Sequence, residues 1–252
     1  MSIALSLLES RFDFPEYHKA PASEVMVAAI PRSGSTMFCL ELWESGVLGA
    51  PMEYLNFRLM ENSERWQSLI ASPVEYWNHL QKVRTSPNGI FSYKMFPTVY
   101  QQVAQVSKEL LSRVAPTHVI YLTRNDIDAQ AISYSKAIQG MAWFADVAQR
   151  KPTSYSYDHI VKCKNTLRRQ MDDWEYIFDI TGTSVLRVAY EDILQAKDSV
   201  VTNVVRHITG SNDVCKLAIP RLTIQRDNLS RQWTKQFSEE SAKRAEIEAG
   251  LI

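Results

Sequence analysis

Residues Pro31-Arg32-Ser33-Gly34-Ser35-Thr36 concentrate a cation, a flexible glycine and three hydroxyls in one short stretch. A run of small and apolar residues, Val25 to Ile30, precedes them, and Met37 to Trp43 follow with helical composition. The pattern reads as strand, tight turn, helix. A Gly-containing turn that opens a helix points several backbone N–H groups at one spot, and the helix dipole adds partial positive charge there. Arg32 contributes a full charge; Ser33, Ser35 and Thr36 contribute hydroxyl donors. The expected product is a cradle for a phosphate-like anion. It departs from the ATP-binding consensus, because GxxxxGK[ST] is absent and no Lys precedes Ser35-Thr36.

Three weaker signals follow. Arg124, after the apolar run His118 to Leu122, stands at a strand end, and Ser133 falls in the next helix. Together they could grip a second phosphate, or Arg124 could pair with Asp126 or Asp128. Tyr190-Glu191-Asp192-Ile193 follows another short strand. Gln225 and Arg226 sit in a late polar loop with Ser230 and Trp233.

The elements that position these residues alternate. Strands are expected over 25–30, 91–95, 118–122 and 184–188, and helices over 35–46, 99–113, 125–139, 157–181 and 198–209. Residues 47–90 read as irregular with short helices. Alternating strands and helices imply an α/β doubly wound, mainly parallel sheet flanked by helices. In such sheets ligands sit beyond the carboxyl ends of the strands, where the cradle and Arg124 both lie. Residues 1–24 read as an N-terminal extension, 25–237 as the domain, and 238–252 as a charged helical tail.

The chain has 252 residues, with 28 Lys and Arg against 28 Asp and Glu. That balance argues against binding nucleic acid through a basic surface. The three cysteines, Cys39, Cys163 and Cys215, form no CxxC pair, which favours a reducing compartment over a disulfide frame or zinc site. No apolar run is long enough to span a bilayer, and the mildly apolar start lacks a basic n-region and a clean cleavage site. The expectation is a cytoplasmic protein. The run Lys162, Lys164, Arg168 and Arg169 reads as a solvated helix face. Tyr54, Phe57, Trp66, Trp77 and Trp143 read as core or rim, with stacking on sugar rings as the lesser alternative.

Taken in order, five segments resemble the sulfotransferases that use 3′-phosphoadenosine 5′-phosphosulfate (PAPS), in particular the bacterial trehalose 2-sulfotransferase-type family. They are Arg32 to Thr36, Gly49-Ala50-Pro51-Met52-Glu53-Tyr54-Leu55, Ser86 to Met95, Arg124 with Gln130 to Tyr134, and Gln225-Arg226 with Ser230 and Trp233. The resemblance covers roughly residues 25–237. It implies the P-loop NTPase-like sulfotransferase fold. It places Arg32, Ser33, Gly34, Ser35 and Thr36 on the 5′-phosphosulfate, Arg124 and Ser133 on the 3′-phosphate, and Gln225 and Arg226 near the nucleotide. Glu53 matches the acid proposed as general base in the trehalose enzyme, and Lys94 the lysine that faces the transferred sulfuryl group. Many relatives carry a catalytic His two residues past that lysine; here the position is Phe96. The implied reaction takes PAPS as donor co-substrate, without a metal, and a hydroxyl of a small carbohydrate or polyol as acceptor. Related enzymes can form homodimers. Two other classes stay open on the residues alone: a P-loop phosphotransferase or kinase, and a non-catalytic nucleotide-binding module.

Overall fold

The structure is a computed structural model and describes residues 6–143, 151–220 and 228–249. Four strands build one sheet: β1 (Ser23–Ala28), β2 (Ile90–Met95), β3 (His118–Thr123) and β4 (Val185–Ala189), in the order β2-β1-β3-β4, every pair parallel. Among the described residues the helices are α1 (Ser35–Glu44), α2 (Phe57–Met60), α3 (Pro73–Arg84), α4 (Pro97–Val106), α5 (Lys108–Arg113), α6 (Ile127–Gly140), α7 (Tyr157–Thr181), α8 (Tyr190–Thr209) and α9 (Asn228–Glu248). The chain forms two compact units. Met1–Asn125 with Gln170–Arg221 carries the sheet, and Asp126–Arg169 with Leu222–Ile252 carries α6 and α9.

Strand alternation sorts the core of the first unit into two layers. Val25, Val27, Ile120 and Leu122 pack with Phe38, Cys39 and Leu42 of α1 and Ile193, Val204 and Val205 of α8. On the opposite face Trp77 of α3 meets Phe91 and Tyr93, and Phe178 of α7 meets Tyr121. Helices on both faces make the sheet doubly wound, as the alternating pattern implied. The strand order reverses between β1 and β3. The crevice at that reversal, beyond the carboxyl ends, is where such a sheet leaves room for a ligand.

The helix boundaries show where local signals misled. The helix expected over 99–113 is two, because Ser107 leaves the helical path and its hydroxyl accepts from the Leu110 N–H at 3.1 Å, capping α5. The helix expected from 198 begins at Tyr190 and bends at Ala196 (φ −145°, ψ 51°). Tyr54, Trp66 and Trp77 are fully buried, so they belong to the core and offer no sugar-stacking surface. Lys162, Arg168 and Arg169 are exposed, as a solvated face requires.

The N-terminal segment is stitched to the sheet unit. Leu7 and Leu8 are buried, and the Trp66 indole donates to the Leu8 carbonyl at 3.1 Å. Arg84 is fully buried. It donates to the carbonyls of Leu7 and Glu9 at 3.1 and 3.3 Å, and its Nε stands 3.1 Å from Asp13. Arg65 grips the same carboxylate with both Nη atoms, at 2.9 and 2.5 Å. Removing one partner from a buried charge set leaves the other uncompensated, which costs about 3–5 kcal/mol. Asp13→Ala is therefore expected to lower unfolding free energy by about 3 kcal/mol in urea titrations; a loss within the error of the titration would contradict this reading of Arg84.

Glu24, at the start of β1, accepts from Gln81 Nε2 at 2.6 Å, while its other oxygen is buried without a hydrogen-bond partner among the described residues. Burial pushes its carboxyl up to about 7. The folded state therefore holds this proton more tightly than the unfolded chain. The stability it contributes is present at low pH and is lost as pH rises from the ordinary carboxylate range through about 7. Glu24→Gln should flatten the decline of the urea midpoint between pH 5 and 8 relative to wild type. Parallel profiles for the two proteins would show that Glu24 does not titrate in that window.

Candidate active site

The cradle forms where β1 ends. Ser33 is buried, and its hydroxyl donates to the Ile30 carbonyl at 2.9 Å, closing the turn from inside. Trp174 of α7 donates its indole N–H to the Ala29 carbonyl at 2.8 Å, fixing the strand exit. Arg32 takes a left-handed conformation (φ 63°), uncommon for a residue with a side chain, and Gly34 takes another (φ 81°). A Cβ on Gly34 would stand 2.4 Å from the Tyr190 ring, so glycine is required twice, by backbone conformation and by space. Gly34 precedes α1 with no side chain to cap it, leaving the first-turn amides of Ser35 and Thr36 available to an anion.

The register of β3 against β4 pairs Thr123 with Ala189. The next residues, Arg124 and Tyr190, therefore emerge side by side. The Arg124 guanidinium lies over the Tyr190 ring at 5.0 Å and donates through Nη1 to the Arg32 carbonyl at 3.1 Å. Its Nε–H is buried without a partner among the described residues. Glu191 accepts from the Asn125 N–H at 3.1 Å, tying the same two strand ends again. Burial, and then the positive charge of Arg124, hold the Arg32 guanidinium below its ordinary pKa. An anion entering here would relieve that repulsion.

On the other side of β1, Lys94 of β2 pairs in register with Val27 and so shares the face that carries α1. Its ammonium is buried and bonds two oxygens: Glu53 Oε1 at 2.8 Å and Thr36 Oγ1 at 3.0 Å. Glu53 arrives on the segment after Gly49 (φ 69°). There a Cβ would stand 2.8 Å from the Ile90 carbonyl, so only glycine lets this segment lie against β2. The Lys94 N–H donates to the Met52 carbonyl at 2.9 Å and completes that contact. The Phe96 ring lies 5.5 Å from the Lys94 ammonium.

The sequence-expected residues thus fall into two joined groups in the first unit: Arg32 with Arg124, and Thr36 with Lys94 and Glu53. Ser133 lies half-buried on α6 of the second unit. Within that unit Asp126 caps α6 by accepting from the Ala129 N–H, and Asp128 pairs with Lys164. Gln225 and Arg226 lie outside the described residues. Sequence reading missed Asn56, whose amide donates to Glu53 Oε2 at 3.0 Å; its position three residues after Glu53, the span of one turn, was the available signal. It also undervalued Tyr190, whose partners are far away in the chain.

Among the described residues no helix is long and apolar enough to cross a membrane, and no cluster of three His, Cys, Asp or Glu side chains could hold a metal ion. Comparison with known proteins gives concordant matches. The trehalose 2-sulfotransferase of Mycolicibacterium smegmatis is 23% identical over 256 aligned residues, covering 86% of this chain and 95% of the relative. The trehalose 2-sulfotransferase of Mycobacterium tuberculosis is 22% identical with the same coverage. Among solved structures, the sulfotransferase domain from the curacin biosynthetic pathway is 11% identical, with a TM-score of 0.46 over 87% of this chain and 99% of its own. The family described as Stf0 sulphotransferase matches residues 24–240, a span that holds the cradle, Glu53, Lys94 and Arg124. The chain belongs to the Stf0 sulphotransferase family and is a trehalose 2-sulfotransferase-like enzyme.

Proposed function

We propose that this sulfotransferase moves the sulfuryl group of PAPS to a hydroxyl of a small carbohydrate or polyol, with Glu53 as general base. The observation that carries the reading is the chain Glu53–Lys94–Thr36, in which one buried ammonium joins the base to the helix that opens the anion cradle. The donor assignment is supported by two guanidinium groups at the β1/β3 crevice, Arg32 after β1 and Arg124 after β3, suited to a nucleotide with phosphate groups at two positions. The acceptor class is supported by the two relatives named for trehalose, matched over nearly their whole length. The compartment we propose is the cytoplasm, in keeping with three free cysteines, two of them buried.

In this reading Arg32 and the amides of Ser33 to Thr36 hold the 5′-phosphosulfate, and Arg124 and Ser133 hold the 3′-phosphate, with Gln225 and Arg226 near the nucleotide. Glu53 takes the proton of the acceptor hydroxyl as its oxygen attacks sulfur in line. The sulfur–oxygen bond to the 5′-phosphate breaks, and that phosphate leaves with the electron pair as 3′-phosphoadenosine 5′-phosphate (PAP). Lys94 and the cradle amides stabilise the charge on the sulfuryl and departing oxygens. The products are a sulfate ester, PAP, and a protonated Glu53 that returns its proton to water. With Phe96 where many relatives carry histidine, the carboxylate is the base at hand.

The test is transfer of label from ³⁵S-PAPS, with EDTA present, to a panel of trehalose, other sugars and polyols. At least one should become labelled. Glu53→Gln should lower kcat by roughly 10²-fold or more while leaving PAP affinity unchanged. A panel with no labelled acceptor would remove the carbohydrate reading, and wild-type turnover in Glu53→Gln would remove the base.

A further inference from the structure

We infer that Asn56 is a positioning residue for Glu53: its side-chain amide holds the carboxylate in its proton-accepting orientation once Lys94 turns to the sulfuryl group. The inference rests on the reading of Glu53 as general base. Asn56 occupies the residue before α2, where an asparagine side chain ordinarily accepts from the first helical amides. Here it makes no cap bond. Its Nδ2 donates instead to Glu53 Oε2 at 3.0 Å, the end of the amide that chemistry dictates, since an ionised carboxylate only accepts. The backbone fixes the spacing, because the Asn56 N–H also donates to the Glu53 carbonyl at 3.0 Å. A local capping preference is thus set aside for a contact at the reacting centre, a pattern expected at functional sites.

The two carboxylate oxygens have different partners. Oε1 faces the Lys94 ammonium at 2.8 Å, and Oε2 faces the neutral amide. A cation weakens a carboxylate as a base by favouring its charged form, whereas a neutral donor does so far less. When Lys94 shifts toward the anionic donor, its hold on Oε1 loosens. Asn56 is then the side chain, among the contacts described, that keeps the carboxylate plane fixed. Cys39 of α1 also feels this pair; burial pushes its thiol up to about 12, so it stays neutral and adds no competing charge.

The test compares Asn56→Ala, Asn56→Asp and Glu53→Gln in the full chain, by steady-state kinetics with PAPS and a labelled acceptor and by calorimetry with PAP. Asn56→Ala should lower kcat about 10- to 100-fold, with PAP affinity unchanged. Asn56→Asp keeps the shape but places a second carboxylate beside Glu53. A second carboxylate disfavours the ionised form of its neighbour, so the acidic limb of the kcat–pH profile should move to higher pH. Wild-type kcat in Asn56→Ala, or an unmoved acidic limb in Asn56→Asp, would overturn the inference. Should Asn56→Ala fail to fold, the limb in Asn56→Asp decides alone. If Glu53→Gln is inactive while Asn56→Ala is normal, only the positioning role falls; if Glu53→Gln is fully active, the base assignment falls and takes this inference with it.

Discussion

The Lys94 ammonium is buried near the end of β2, every residue of which is buried. Taking such a charge out of water costs several kcal/mol unless oxygens replace the solvent. Two do so, and each belongs to a different part of the site: Glu53 to the segment that lies along β2, and Thr36 to the helix that opens the anion cradle. The need to satisfy one cation therefore holds Glu53, the proposed base, in fixed relation to the cradle. Asn56 and the Gly49 approach to β2 are adjustments that make the same contact possible.

The opposite flank is set by backbone register. Parallel pairing of β1, β3 and β4 brings their carboxyl ends level, so that the residues just beyond them meet without any dedicated scaffold. Arg124 lands on the Tyr190 ring and on the Arg32 carbonyl, and the same ring occupies the space that Gly34 leaves empty. Two left-handed residues in the turn, Arg32 and Gly34, are held by these neighbours. Strain concentrated at the cradle and stabilised by its surroundings is typical of a preorganised binding turn. In the proposed reaction, the cost of bringing these cations together is met before the donor arrives, which is what electrostatic stabilisation of a transferring group requires.

Much of this was legible in the sequence because it is local. The cradle is spelled by adjacent residues and Arg124 by a strand end, whereas Glu53 and Lys94 stood out only through the family resemblance. The sheet followed from alternation of short apolar runs with helical ones. What escaped depends on contacts across the chain or on competition within a helix. Tyr190 gains its meaning from Gly34 and Arg124, which no spacing reveals. Ser107 breaks a helical run because its hydroxyl prefers a cap bond, a competition that propensity alone does not resolve. The N-terminal residues looked like an extension, yet Leu7 and Leu8 are core and Arg84 is buried beneath them.

In the proposed function the crevice binds a nucleotide through two phosphate contacts, one at Arg32 and the cradle amides and one at Arg124. Its most direct test is calorimetry of PAP against adenosine 5′-phosphate, in EDTA, on the wild-type protein and on Arg124→Ala. PAP should bind the wild-type protein roughly 10- to 100-fold more tightly than adenosine 5′-phosphate, and that advantage should vanish in Arg124→Ala. Equal affinity for the two nucleotides in the wild-type protein, or binding that appears only when Mg²⁺ replaces the chelator, would contradict it.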